Sequence, residues 1–231
     1  MNDKVEIVTI RENLASVQAR ISQAARVSGR SEQDIQLLGV TKYAPDEDVQ
    51  QLIDAGLLVL GENRVQNARA RLERFPEAEW HFIGRLQTNK VRYLEQVALI
   101  HSLDRWNLAE ALDARAKHWG KIQDVLIQVN VSGEDSKTGL ASTDAGGFAE
   151  RLLEECANLR VRGLMTMAPL IEAEETRLFF RETRLLYEKL QRDLGVSWDI
   201  LSMGMTNDFE VAIEEGATLV RIGSALFSKG D

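Results

Sequence analysis

Ile35-Gln36-Leu37-Leu38-Gly39-Val40 is a short apolar run without alternation, and Leu57-Leu58-Val59-Leu60-Gly61 is another further on. Runs of this kind suit strands buried on both faces, as in a parallel sheet covered by helices. Between them Pro45-Asp46 is a helix-start signal, Val49, Leu52 and Ile53 form a helical stripe, and Gly56 is a stop. Residues 35–61 therefore read as strand, helix, strand.

The same unit recurs toward the C-terminus. A helix through Val65 to Leu72 leads to a third strand at Trp80-His81-Phe82-Ile83-Gly84, and Asn89 to Leu94 is the next helix. Val97 to Ser102 is the fourth strand, Ala109, Leu112, Ala116 and Trp119 make a helical stripe, and Val125-Leu126-Ile127-Gln128-Val129 is the fifth strand. Phe148 to Cys156 is helical and Leu159 to Met165 is the sixth strand; a long helix carries Phe179, Leu186 and Leu190. Trp198 to Leu201 is the seventh strand, and a short helix from Asn207 to Glu215 precedes the eighth, Leu219-Val220-Arg221-Ile222. In the other direction, Ile10, Leu14, Val17, Ile21 and Ala24 share one helical face, with Gly29 as its stop. Eight buried strands alternating with helices predict an α/β fold, a (β/α)8 barrel of the TIM type preceded by an N-terminal helix, with residues 1–231 as one domain. An open doubly wound sheet is the alternative, because periodicity does not prove closure.

At 231 residues the chain exceeds an average domain, yet barrels reach this size as one unit. With 44% hydrophobic and 28% charged residues it has enough apolar surface for a full core. Met1-Asn2-Asp3-Lys4-Val5-Glu6 mixes charge signs and leads into no apolar run, so neither a signal peptide nor a membrane anchor is expected. Cys156 is the only cysteine, which excludes an intrachain disulfide and fits a reducing, cytoplasmic setting. A formal charge of −8 repels nucleic acid. The basic stretch from Arg64 to Arg92 is interleaved with Glu73, Glu77 and Glu79 and reads as solvated helix faces. His101 and His118 have no Cys, Asp or Glu at metal-ligand spacing, so no metal site is expected. His81, between Trp80 and Phe82, reads as a half-buried strand histidine with its bonds satisfied, and Cys156 as core.

Barrels place their sites at the C-terminal ends of the strands, and phosphate often binds in the loops after the last two. Here those loops are Ser202-Met203-Gly204-Met205-Thr206-Asn207-Asp208 and Gly223-Ser224-Ala225. Each offers a small residue, which lets backbone N–H groups approach an anion, and a hydroxyl that can donate to it. Helix-start turns would use the same glycines; the paired placement favours a phosphate cup. Lys42 follows Leu38 and Val40 at period two, so its amine projects into the barrel mouth, where partial desolvation would leave it free to attack a carbonyl. A solvated loop lysine would have the same spacing. An aldehyde ligand bearing a phosphate requires both the lysine and the cup. Arg221 shares its strand face with Leu219 and Gly223 and points inward, where it faces either a barrel carboxylate or the ligand. Asn63, after the second strand, can bond a polar ligand at the same rim. The methionines of Met165-Thr166-Met167 and Met203-Gly204-Met205 line the barrel top as apolar packing.

Trp80-His81-Phe82-Ile83-Gly84-Arg85-Leu86-Gln87-Thr88-Asn89-Lys90 resembles the signature of the pyridoxal phosphate homeostasis proteins, small relatives of the alanine racemase N-terminal barrel. Val40-Thr41-Lys42, Gly61-Glu62-Asn63, Ser202-Met203-Gly204-Met205 and Arg221-Ile222-Gly223-Ser224 match in order, and Asn130 to Gly139, with Glu134 and Lys137, resembles the family's loop after strand five. Two departures stand out: Thr206 where many relatives have serine, and Ser228 where glycine is usual. The resemblance implies that the cofactor is pyridoxal 5′-phosphate, held as a Schiff base on Lys42. It further implies that Ser202, Gly204, Gly223 and Ser224 hold the phosphate, with Asn63, Met203 and Met205 beside them, and that Arg221 faces the ring nitrogen. The implied role is intracellular vitamin B6 homeostasis, in which a monomer buffers the cofactor and delivers it to apo forms of pyridoxal-phosphate enzymes without turnover of its own. An amino-acid racemase or lyase is the alternative, although the second base that a racemase takes from an additional domain is not expected in a chain ending at Asp231. A barrel for another phosphorylated metabolite is the third reading.

Overall fold

The computed structural model describes residues 9–134 and 138–228, so the opening Met1–Glu6 stretch, Lys137 and Asp231 lie outside the described residues. Its strands are β1 (Gln36–Val40), β2 (Val59–Glu62), β3 (Glu79–Phe82), β4 (Leu99–Leu103), β5 (Gln123–Asn130), β6 (Leu140–Ala141), β7 (Leu159–Met165), β8 (Ile200–Ser202) and β9 (Leu219–Ile222). β1 pairs in parallel with β2 on one side and with β9 on the other, and the order β1-β2-β3-β4-β5-β7-β8-β9 closes with no free edge. The open doubly wound sheet is thereby excluded. β6 is a two-residue annex paired with β5, and the apolar patterning gave no hint of it.

Along each strand the side chains alternate between two buried environments. Leu38, Leu99, Leu126, Met165, Ile200 and Leu219 fill the bore. Leu60, Trp80, Phe82, Ile100, Leu201 and Val220 face outward into the layer beneath the helices. Because both faces are apolar, the alternation is invisible in the sequence and the strands read as continuous runs.

The surrounding helices are α1 (Ile10–Val27), α2 (Asp46–Asp54), α3 (Val65–Arg74), α4 (Trp106–Trp119), α5 (Ala145–Glu155), α6 (Arg177–Leu194), α7 (Phe209–Glu214) and α8 (Ser224–Phe227). The segment expected as a helix from Asn89 is a 3₁₀ turn, Thr88–Tyr93. α1 begins at a capping box: the Glu12 N–H donates to the Thr9 hydroxyl and the Thr9 N–H to the Glu12 carboxylate, satisfying amides the helix leaves free. The face it buries, Ile10, Leu14, Val17, Ile21 and Ala24, is the one its spacing predicts. α1 lies against α2, α7 and α8, filling the outer layer where the last helix of the barrel is only one turn long. Asn13 Nδ2 donates to the carbonyls of Leu226 and Ser228, so the C-terminal turn is tied down at Ser228.

One basic residue departs from the solvated-face expectation. Arg71 turns inward from α3, pairing with Asp46 and approaching the fully buried Glu62, which Thr41 also holds with a hydroxyl bond of 2.7 Å. Burial still pushes the Glu62 carboxyl up. Cys156 is buried at the end of α5, and its thiol is pushed up to about 11, mainly by burial. No helix is long and apolar enough to cross a membrane among the described residues.

Candidate functional site

A cavity of about 860 Å³ opens at the C-terminal ends of the strands. Val40, Ile83, Met165 and Arg221 form its floor, and the loops after β1, β3, β7 and β8 form its walls. Its volume lies in the range of small-molecule sites.

Lys42 lies on the wall, as the period from Leu38 and Val40 requires. Lys42 is exposed, with Nζ 5.1 Å from the centre of the Tyr43 ring. Asn63 shares the wall, and its Oδ1 is buried without a hydrogen-bond partner. A methyl group on Gly84 would come 2.0 Å from the Asn63 carbonyl oxygen, which is why the strand-three signature needs glycine beside it. Gly223, Ser224 and Met205 also reach the cavity.

Ser202, Met203 and Gly204 do not. Ser202 continues the inward face of Ile200 and is fully buried in the bore beneath Arg221, while Met203 points into the outer core. Gly204 adopts φ +90° and packs under α7, where a Cβ would stand 2.6 Å from that of Ala212. This left-handed turn re-aims the chain, so Thr206, Asn207 and Asp208 supply the polar side chains that this loop brings to the wall. Asp208 was not singled out from the sequence. Its Oδ1 accepts the Met205 N–H at 2.6 Å and braces the loop, and burial raises its pKa. An Asp just ahead of a short helix was the signal available for it.

Arg221 points inward between Leu219 and Gly223, as strand parity predicts, and is 4% exposed. Nη1 donates to Ser202 Oγ at 2.7 Å and Nη2 to the Thr166 carbonyl at 2.8 Å. Its contacts are thus neutral groups rather than the barrel carboxylate that the sequence left open. Burial lowers its pKa to about 10, opposed by Asp208, which leaves it protonated at neutral pH. His81 is satisfied, as expected, but is nearly fully buried rather than half buried, and His101 beside it is fully buried. Arg64, Arg85, Lys90 and Arg105 line a second cavity of about 430 Å³ that shares Asn63 and Arg85 with the first. No group of three His, Cys, Asp or Glu is arranged to hold a metal ion among the described residues.

A closed parallel barrel with a lysine after its first strand and an inward arginine on its last defines a class. Residues 8–229 match the family model described as alanine racemase, N-terminal domain. The pyridoxal phosphate homeostasis protein of Aquifex aeolicus is 49% identical over 222 residues, covering 94% of this chain and 97% of its own length. The chain belongs to the pyridoxal phosphate homeostasis proteins within that family. The structure of PipY from Synechococcus elongatus with PLP bound matches at a TM-score of 0.83 and 34% identity, covering 95% of this chain and 100% of that one. Alanine racemase from Clostridium difficile matches at a TM-score of 0.75 and 16% identity over 95% of this chain and 56% of its own, a likeness of fold alone.

Proposed function

We propose that this chain binds pyridoxal 5′-phosphate in the larger cavity, with Lys42 holding it as a Schiff base, and that it buffers the cofactor and passes it to apo forms of other proteins. The observation that carries this reading is the convergence in one cavity of a free primary amine, a buried and unpartnered amide oxygen on Asn63, and a guanidinium fixed from below. These residues fit the cofactor. The amine suits the aldehyde, Asn63 can accept from a hydroxyl, and Arg221 can donate to the ring nitrogen. Thr206, Gly223 and Ser224 are the groups we assign to the phosphate, with Met205 beside them; Ser202, Met203 and Gly204 act from behind, by shaping Arg221 and the loop.

Attachment forms one C=N bond in place of the aldehyde C=O, with the oxygen leaving as water. Attack by water or by another amine reverses it. The exposure of Lys42 leaves room for that second amine. Arg221 only donates, so a ring nitrogen facing it stays unprotonated and the ring is a poor electron sink, which disfavours racemase or lyase chemistry. Tyr43, Met167, Leu170 and Ile171 form an exposed apolar rim around the mouth, with Leu170 91% exposed; such patches mark interaction sites and suit transfer to a recipient protein. The relatives' name describes homeostasis rather than a reaction. We further assign the whole chain, residues 1–231, to one cofactor-binding unit acting as a cytoplasmic monomer.

The test is borohydride reduction of protein loaded with pyridoxal phosphate, followed by peptide mapping and by mixing unreduced samples with an apo-enzyme. A pyridoxyl group on Lys42, lost in Lys42→Ala, and recovery of the apo-enzyme's activity are expected. A label mainly on Lys90 or Lys137 would overturn the assignment. Rapid α-deuterium exchange of L-alanine that disappears in Lys42→Ala would favour the racemase reading.

A further inference from the structure

The bore beneath the cavity is not wholly apolar. Glu79 stands half exposed at the N-terminal end of β3, the end of the barrel opposite the mouth. His81 Nε2 lies 2.9 Å from Glu79 Oε1, and His81 Nδ1 lies 3.0 Å from His101 Nε2 on β4. His101 Nδ1 lies 3.1 Å from Ser202 Oγ on β8, and Ser202 Oγ lies 2.7 Å from Arg221 Nη1 on β9. Four contacts thus join the cavity floor to solvent at the far end of the barrel.

The two ends fix the direction of every bond. Arginine only donates and an ionised carboxylate only accepts. Between them Ser202, His101 and His81 each contribute one proton when both imidazoles are neutral, so with that of Arg221 each contact receives one. Ser202 O–H then donates to His101 Nδ1, His101 Nε2–H to His81 Nδ1, and His81 Nε2–H to Glu79. Both histidines carry their proton on Nε2. Burial holds His101 well below the ordinary histidine range, with His81 and Arg221 pushing the same way, and the bond from His81 holds the Glu79 carboxyl down. The other charges facing this row are Arg162 and Asp124 beside Glu79, and Asp208 beside Arg221.

We propose that Glu79, His81, His101 and Ser202 form a directed hydrogen-bond relay that holds Arg221 as a fixed donor at the cavity floor and ties it to a carboxylate at the opposite end of the barrel. A buried guanidinium requires compensation, and oriented dipoles ending on an anion supply it from below, adding to the charge of Asp208 at the cavity wall. His101 is then a positioning residue for the ligand that Arg221 faces, a consequence that rests on the function proposed above.

Histidine nitrogen NMR on the ligand-free protein tests the relay without the cofactor. Both imidazoles should carry a proton on Nε2, and His101 should stay neutral between about pH 5 and 8, the range in which an ordinary histidine titrates. A His101 protonated on Nδ1, or cationic at neutral pH, overturns the proposal. With pyridoxal phosphate, His101→Phe should weaken retention by about tenfold, the loss of one hydrogen bond to a charged network. It should also shift the pH profile of the cofactor's absorbance band, while His101→Gln, which keeps one donor and one acceptor, restores most of both. Glu79→Ala, at an exposed position, covers the case in which His101→Phe does not fold: it should alter the His101 nitrogen shifts with little change in Tm, and unchanged shifts overturn the relay. Failure of the wild type to bind at Lys42 would sink the proposed function and leave the nitrogen assignments to decide the relay.

Discussion

Gly204→Ala should destabilise the protein by about 2–5 kcal/mol and loosen the wall of the cavity with it. Two costs combine. The residue sits at φ +90°, where an L side chain is strained by about 1–2 kcal/mol. The added Cβ would also stand 2.6 Å from Ala212 Cβ and 2.9 Å from Phe209 Cα, and the second of these is backbone that cannot swing aside. Overpacking of this kind typically costs about 1–3 kcal/mol. Relief requires α7 to move away from the loop, and Met205, Thr206 and Asn207 move with it. The assay is urea unfolding at neutral pH, where a lower midpoint with an unchanged slope reports stability alone. The double variant Gly204→Ala/Ala212→Gly separates the causes. It removes the shorter contact but keeps the Phe209 contact and the strained φ, and it adds a helical glycine at about 1 kcal/mol, so it should recover only part of the loss. A single variant within about 0.5 kcal/mol of wild type, the usual range for inconsequential surface changes, would refute the argument, as would full recovery in the double variant.

Two further outcomes follow from the site and the outer layer. Thr206→Ala and Ser224→Ala should each lower affinity for pyridoxal phosphate by about tenfold, the worth of one charge-assisted hydrogen bond, and leave pyridoxal without phosphate unaffected; equal losses for both aldehydes in equilibrium dialysis would remove these residues from the phosphate site. Arg177 bridges Glu174, Glu214 and the buried Glu215 and so ties α6 to α7, and Arg177→Ala should cost about 1–3 kcal/mol at neutral pH. Glu215 is held below its ordinary pKa by Arg181 and then Arg177, so its contribution is present above the unfolded value of about 4.3 and is lost as pH falls through the lower folded value. The gap between variant and wild type in urea midpoints should therefore narrow toward pH 3; a gap that widens on acidification would contradict the sign.

The sequence by itself determined the strand and helix succession apart from the 3₁₀ turn Thr88–Tyr93 and the annex β6, because each barrel strand is a buried apolar run and each long helix a striped one, and both signals are local. It also determined the inward parity of Leu38, Val40 and Lys42 and of Leu219 and Arg221, since period two survives wherever a strand stays straight. Parity ceased to guide at Gly204, where a left-handed turn rotates the chain and exchanges Ser202 for Thr206 at the cavity wall. Closure was decided by the pairing of β1 with β9, residues at opposite ends of the chain whose apolar runs would serve an open sheet equally well. The polar row through the bore was likewise tertiary. His81, His101, Ser202 and Arg221 come from four strands, and the link from His101 on β4 to Ser202 on β8 crosses the bore between strands that are not neighbours, so only closure of the barrel sets the four in bonding order, a relation no spacing along one chain can encode.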